Sequence, residues 1–283
     1  MGLICILIRP ATFLLVRMNT KTLSLFVFLI ISSSVKAQVL VGPIVGPQVS
    51  WVSFNDKDNA RRFKQKPVIG FHAGANLSFR VQKRFFLHTS LLYSEKGKLL
   101  DMKDDATFQN KAKYRYIEMP LAYTVEFITK TGTNKQFKWY LGLGPNISYL
   151  LSGKGSLRSS ELDEILISPI NYKMAFGKDK EEVENNEMAV KEPNRLQLGL
   201  NLSSGLVFEP TGVGKFMLTL RYEFGHSFFS RDGQGILTQS SDYVDDLKVR
   251  NQGFRFSVAY LIDLKTDQKK RGKSTIRKKT FNR

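Results

Sequence analysis

At 283 residues, with a formal net charge of +18 and 42% hydrophobic residues, the chain has room for one large β domain or two smaller ones, and it is too apolar to be a disordered polyelectrolyte. Its one cysteine, Cys5, excludes a disulfide framework and a zinc-thiolate centre. Beyond the first forty residues no apolar run is long enough for a transmembrane helix, so a membrane position would have to be reached by strands.

In chain order, the first informative segment runs from Met18 to Gln38. Lys21 precedes an apolar stretch, Leu23 to Ile31, followed by Ser32, Ser33, Ser34 and Ala37. That is the layout of a secretory signal peptide, and cleavage is expected after Val35-Lys36-Ala37. The apolar run is too short to cross about 30 Å of hydrocarbon as a helix. Met18 opens a complete signal peptide, so the preceding residues read as an upstream extension from an early start codon. Cleavage would remove Cys5 and the basic residues Arg9, Arg17, Lys21 and Lys36.

Period-two alternation dominates the chain from Val39 to Asp263. From Ile69 to Val81 the odd positions are apolar (Ile69, Phe71, Ala73, Ala75, Leu77, Phe79, Val81), a run that chance gives roughly twice in a thousand trials. The same pattern recurs from Phe137 to Leu151 and from Phe254 to Ile262. Eight strands are expected, near 39–54, 67–81, 85–98, 113–127, 137–151, 195–209, 216–227 and 250–263. Pro43 and Pro47 each remove a ladder donor, so pairing of the first strand is expected to begin near Gln48. Connections alternate between short or modest (82–84, 128–136, 210–215) and long (55–66, 99–112, 152–194, 228–249). Transmembrane barrels alternate in this way, with short periplasmic turns and longer extracellular loops.

Glycine indicates which phase faces inward. Gly42, Gly46, Gly70, Gly74, Gly142, Gly144, Gly199, Gly205, Gly225 and Gly253 all fall on the polar phase. A narrow eight-stranded lumen needs small residues, whereas a soluble exterior would carry Lys and Glu there. The apolar phase must then face lipid, with Trp51, Tyr123, Phe127, Trp139, Tyr149, Tyr222 and Tyr260 forming interfacial girdles. The fold class is all-β: an eight-stranded antiparallel up-and-down transmembrane β-barrel over 38–264. On the inward phase Arg80, Glu118, Glu126, Arg221, Glu223 and Arg255 are candidates for luminal ion pairs, because an unpaired buried charge costs several kcal/mol or more. With Tyr114, Tyr116 and Tyr140 they would fill the lumen and leave no wide pore.

Signatures of catalytic or ligand chemistry are few. His226-Ser227 is the one pair that resembles the nucleophile and base of outer-membrane lipid hydrolases, but neighbours on a strand point oppositely. Gly142-Leu143-Gly144-Pro145 lacks the helix that a phosphate loop requires. No metal-ligand spacing or cofactor motif appears, and the acidic run 179–192 reads as a solvated loop. The last nineteen residues, 265–283, hold nine Lys or Arg against Asp267 alone, and read as a disordered periplasmic arm. With a signal peptide at the other end, nucleic acid is not the expected partner.

Tyr114-Arg115-Tyr116-Ile117-Glu118-Met119-Pro120-Leu121 and Trp139-Tyr140-Leu141-Gly142-Leu143-Gly144-Pro145 resemble the outer-membrane β-barrel family of Bacteroidota that includes the PorT-type proteins. The resemblance implies a barrel in the outer membrane and an accessory role in type IX protein secretion or gliding. The expected protein is therefore a non-enzymatic outer-membrane barrel. Its expected contacts are outer-membrane lipid and, through the 265–283 tail, secretion-apparatus or periplasmic proteins. A narrow solute channel is the alternative, and a lipid-modifying enzyme a more distant one.

Overall fold

The computed structural model describes residues 38–131, 135–165, 167–210, 214–237 and 243–264. The expected signal peptide with its extension, and the basic tail, lie outside the described residues. Thirteen strands are described: β1 (Val39–Phe54), β2 (Phe63–Lys66), β3 (Val68–Arg80), β4 (Phe85–Met102), β5 (Gln109–Thr131), β6 (Lys135–Arg158), β7 (Ile170–Phe176), β8 (Glu187–Val190), β9 (Leu196–Phe208), β10 (Lys215–Gly225), β11 (Gln234–Leu237), β12 (Val244–Asp246) and β13 (Val249–Asp263).

Eight of them close a ring. β1, β3, β4, β5, β6, β9, β10 and β13 pair antiparallel in that order, and β13 returns to β1 with Trp51 opposite Gln252. Closure leaves the ring no unpaired edge, which a strand in hydrocarbon cannot tolerate. The side-chain distribution is inverted relative to a soluble barrel. Ile69, Leu143 and Leu202 are 74%, 66% and 60% exposed, whereas His72, Asn76, Glu118, Asn146 and Arg255 are buried. The ten glycines named above, from Gly42 to Gly253, share the phase of the buried residues.

Aromatic side chains mark both rims of the apolar band. Phe85 stacks on Tyr123, Phe127 on Trp139 and Phe216 packs on Tyr260 at the short-turn end, while Trp51 and Tyr222 both pack on Phe254 toward the other. Trp139 and Tyr149 lie ten residues apart on β6. At about 3.3 Å per residue and about 40° tilt, they are about 25 Å apart along the barrel axis, the height of an outer-membrane apolar band.

β1 departs from expectation. Its ladder to β3 is continuous from Val39 to Ser50, through both prolines, so pairing does not wait for Gln48. Only the ladder to β13 is interrupted, at Gly42-Pro43 and again at Gly46-Pro47. The two glycines let the strands press together there: a Cβ on Gly42 or Gly46 would sit 1.6 or 1.8 Å from the carbonyl oxygen of Tyr260 or Phe256. Each proline breaks one ladder locally while the other holds the register.

The long-loop end is more ordered than the sequence suggests. β4, β5 and β6 run past the apolar band, so the expected loop 99–112 shrinks to 103–108, and the first part of the expected loop 152–194 is strand. Outside the membrane the alternation reverses, with Leu100, Ala112, Tyr114 and Leu157 buried inside and Lys111 and Lys154 exposed outside. A β-bulge at Arg115/Tyr116 opposite Leu150 to Ser152 marks the change. β7 then extends the sheet from β6, β8 pairs with it in parallel, and β11 and β12 continue it. Beneath this extension Phe108, Tyr114, Leu162, Ile170, Tyr172, Met188, Phe229, Leu237 and Leu247 form a hydrophobic core that roofs the barrel. Lys98 and Asp245 pair inside the roof at 2.5 Å, both buried. A second apolar cluster, including Leu40, Ile44, Tyr140, Val207, Met217 and Leu261, closes the short-turn end.

Candidate functional site

Between the two apolar plugs the lumen is polar, and its centre is a four-membered charge ring. Lys96 from β4 places Nζ 2.5 Å from Glu118 Oε1 and also pairs with Glu223. Arg255 from β13 pairs with Glu118 and sits 2.6 Å from Glu223 Oε2. Each cation thus touches both carboxylates. The remaining acceptor capacity is used by Ser94 Oγ, which donates to Glu118 at 2.9 Å, by Ser148 Oγ at 3.1 Å, and by Asn146 Nδ2, which donates to Glu223 at 3.0 Å. Lys96 also lies 5.0 Å above the Tyr116 ring. Desolvating four charges costs several kcal/mol each, and this density of partners is what makes the arrangement tolerable.

The sequence candidates divide. Glu118, Glu223 and Arg255 are brought together in the ring. Arg221 is 5% exposed and lies directly opposite Arg255 on the neighbouring strand, with no carboxylate within 4 Å among the described residues. Arg80 is exposed at the short-turn end, where its guanidinium donates to the Lys83 carbonyl. Glu126 lies at that same end without an ion pair among the described residues, its backbone N–H bonded to the Arg84 carbonyl. Lys96 is the ring member that sequence reasoning missed. It shares the phase of His88, Ser90 and Ser94 on β4, but Leu91 and Leu92 are adjacent and blur which phase is inward.

Below the ring, His72 Nε2 lies 2.7 Å from Ser257 Oγ and His88 Nδ1 2.6 Å from Ser78 Oγ. Tyr140 and Thr219 hydroxyls meet at 2.5 Å. These contacts tie adjacent or next-nearest strands together on the inner face, and among the described residues no group of three or more His, Cys, Asp or Glu is placed to hold a metal ion. His226 and Ser227 do not form a catalytic pair. Ser227 Oγ accepts from the Leu198 N–H at 2.9 Å, and both residues donate backbone N–H to the Leu198 carbonyl, which terminates the β9 edge.

A closed eight-stranded ring, apolar outside and charged within, is an outer-membrane β-barrel. Residues 20–228 match the family described as outer membrane protein beta-barrel domain, and the chain belongs to that family. A comparison with curated proteins finds no match. Among solved structures it is similar to the attachment invasion locus protein Ail of Yersinia pestis, at 14% identity and TM-score 0.32, over 80% of this chain and 99% of that one. It is also similar to OprG from Pseudomonas aeruginosa, at 12% and 0.41, over 80% and 95%. A third is Neisserial surface protein A (NspA), at 11% and 0.31, over 80% and 99%.

Proposed function

We propose that this protein is a sealed, non-enzymatic outer-membrane scaffold that acts through the surfaces it presents on either side of the membrane. The observation that carries this reading is the filled lumen: an apolar plug at each end and the Lys96, Glu118, Arg255 and Glu223 ring between them. A solute would have to break a network in which every charged member is doubly paired. The folded sheet of β6, β7, β8, β11 and β12 offers a surface for another macromolecule outside the membrane. The basic 265–283 segment supplies charge for contacts with periplasmic or secretion-apparatus proteins. The likeness of 114–121 and 139–145 to PorT-type proteins supports an accessory role in type IX secretion or gliding.

The test is a deletion strain profiled for secreted proteins, alongside the purified protein in planar bilayers. The expected outcome is retention of secreted cargo inside the cell and no discrete conductance steps. Normal secretion in the deletion strain would overturn the secretion role, and reproducible steps from the purified barrel would revive the solute channel.

A further inference from the structure

Above the apolar band the outer wall of the barrel carries a row of cations. Lys113 on β5 is in register with Lys154 on β6, and Lys154 with Lys173 on β7. Like charges placed directly opposite in a sheet repel. Three in succession are a cost that packing does not explain, since all three point outward, together with Lys111. One of them is compensated within the chain: Lys113 pairs with Glu95 at 2.6 Å. Lys111, Lys154 and Lys173 have no carboxylate within 4 Å among the described residues.

These lysines line a cavity of about 650 Å³, whose other walls include Tyr172, Asn171, Ser156 and the 184–187 turn. Two carboxylates, Glu184 and Glu187, also border it. Glu187, in register with Lys173, accepts from the Glu184 N–H at 3.2 Å and pairs with Lys178 at 3.9 Å; with Lys113 neutralised by Glu95, the three other lysines outnumber the two carboxylates and leave the cavity positive.

The cavity opens just above headgroup height. Ile117, exposed on the outer face of β5, is the first apolar residue below the row, and Arg115 and Lys113 follow at two and four residues. With a rise of about 3.3 Å and a tilt of about 40°, they stand about 5 and 10 Å above it along the axis. The headgroup zone occupies about 5–8 Å beyond the hydrocarbon, so the backbone of the row stands a few ångströms above it, and lysine side chains, about 6 Å long, reach down into it. Below the cavity Ile117, Met119, Tyr149 and Leu151 are exposed, an apolar wall for acyl chains continuous with the basic row.

We infer that this cavity binds the phosphorylated headgroup of an outer-leaflet glycolipid, the phosphate meeting Lys111, Lys154 and Lys173 while the acyl chains lie along the Ile117 and Tyr149 face. The inference rests on the lipid-facing orientation of the barrel and is independent of any role in secretion.

The experiment uses the full-length protein in detergent, with native mass spectrometry of three probes: diphosphoryl lipid A, the same lipid dephosphorylated, and inorganic phosphate. The variant is Lys111→Gln/Lys154→Gln/Lys173→Gln. The control, matched in charge, is Lys64→Gln/Lys83→Gln/Lys103→Gln. Retention of the heat-modifiable gel mobility of a folded barrel is checked for each. The wild type and control are expected to bind the diphosphoryl lipid, and the cavity variant to lose on the order of a hundredfold, roughly fivefold per lysine. Lys173→Gln alone, on β7 outside the ring, is expected to lose roughly fivefold, and serves if the triple variant does not fold. Equal binding by wild type and cavity variants, or equal binding of the dephosphorylated lipid, would overturn the inference. So would inorganic phosphate displacing the lipid at equal concentration, which would mark a site for free anions.

Discussion

Glu118 and Glu223, on strands three apart around the ring, are held by the same two cations, Lys96 and Arg255, so that no charge in the quartet has a single partner. Removing one cation should therefore be far worse than removing a balanced pair. Lys96→Met is expected to lower the unfolding free energy by about 3–5 kcal/mol, because it leaves a buried carboxylate under-compensated. Lys96→Met/Glu118→Gln should recover part of that loss. Urea unfolding in lipid vesicles, followed by Trp51 and Trp139 fluorescence, reads both; additive losses would show that the residues do not act as a unit.

Arg221 gives the opposite expectation. It is buried beside Arg255 and lacks a carboxylate partner among the described residues, so its charge opposes folding. Arg221→Met is expected to raise stability by about 1–3 kcal/mol in the same assay. A loss as large as that of Lys96→Met would show that Arg221 has an essential anionic or solvent partner.

Asp105, in the turn between β4 and β5, is expected to lose its contacts in acid. Its carboxylate accepts from the Thr107 hydroxyl at 2.6 Å and the Thr107 N–H at 2.9 Å, and from the Ser160 hydroxyl at 3.1 Å. These bonds, chiefly those from Thr107, lower its pKa from 3.8 to about 2. A depressed folded value means the contribution to turn order is present above pH 3.8 and is lost as pH falls through about 2. Carboxyl NMR titration should find this midpoint, and Thr107→Val should move it toward the ordinary value. An Asp105 midpoint near 3.8 in the wild type would contradict the Thr107 bonds.

The roof and the barrel should separate in a fourth variant. Lys98 and Asp245 are buried together, with Tyr243 OH donating to Asp245 at 3.4 Å and Asn110 Nδ2 donating to Tyr243 at 2.6 Å. Lys98→Met leaves Asp245 without its cation and is expected to expose 226–237 and 243–248 to protease added outside intact cells, while the barrel keeps its heat-modifiable mobility. Unchanged protease resistance would mean the pair contributes nothing to the roof.

Much of this fold was legible because lipid imposes a simple rule on outward positions. Ile69 to Val81 and Phe254 to Ile262 alternate strictly, and the glycines report the inner phase. The rule stops at the membrane edge. Beyond Leu151 the bulge shifts the phase and the outer face turns from apolar to lysine, so the continuation of β6 to Arg158 reads as a loop. β7, β8, β11 and β12 are short, and β8 reaches β11 across more than forty residues, which no local periodicity announces. In the lumen, phase identified Glu118, Glu223 and Arg255 as inward residues, but it cannot tell which charges meet. Barrel shear decides that, which is why Arg221 stands apart although it occupies the same phase as Glu223.

Outward apolar residues should meet hydrocarbon, and the filled interior should exclude water. Residues 38–283 contain no cysteine, so single substitutions can be labelled cleanly with a nitroxide. Leu200 and Asn201 are adjacent on β9 and point to opposite faces, 57% exposed outward and 3% exposed inward. For Leu200→Cys and Leu143→Cys in lipid vesicles the expected result is high collision with oxygen and low collision with a water-soluble nickel chelate. For Asn201→Cys low collision with both is expected. A nickel chelate that reaches Leu200→Cys and Leu143→Cys as readily as a surface turn would contradict the lipid-facing assignment, and one that reaches Asn201→Cys would contradict the sealed lumen.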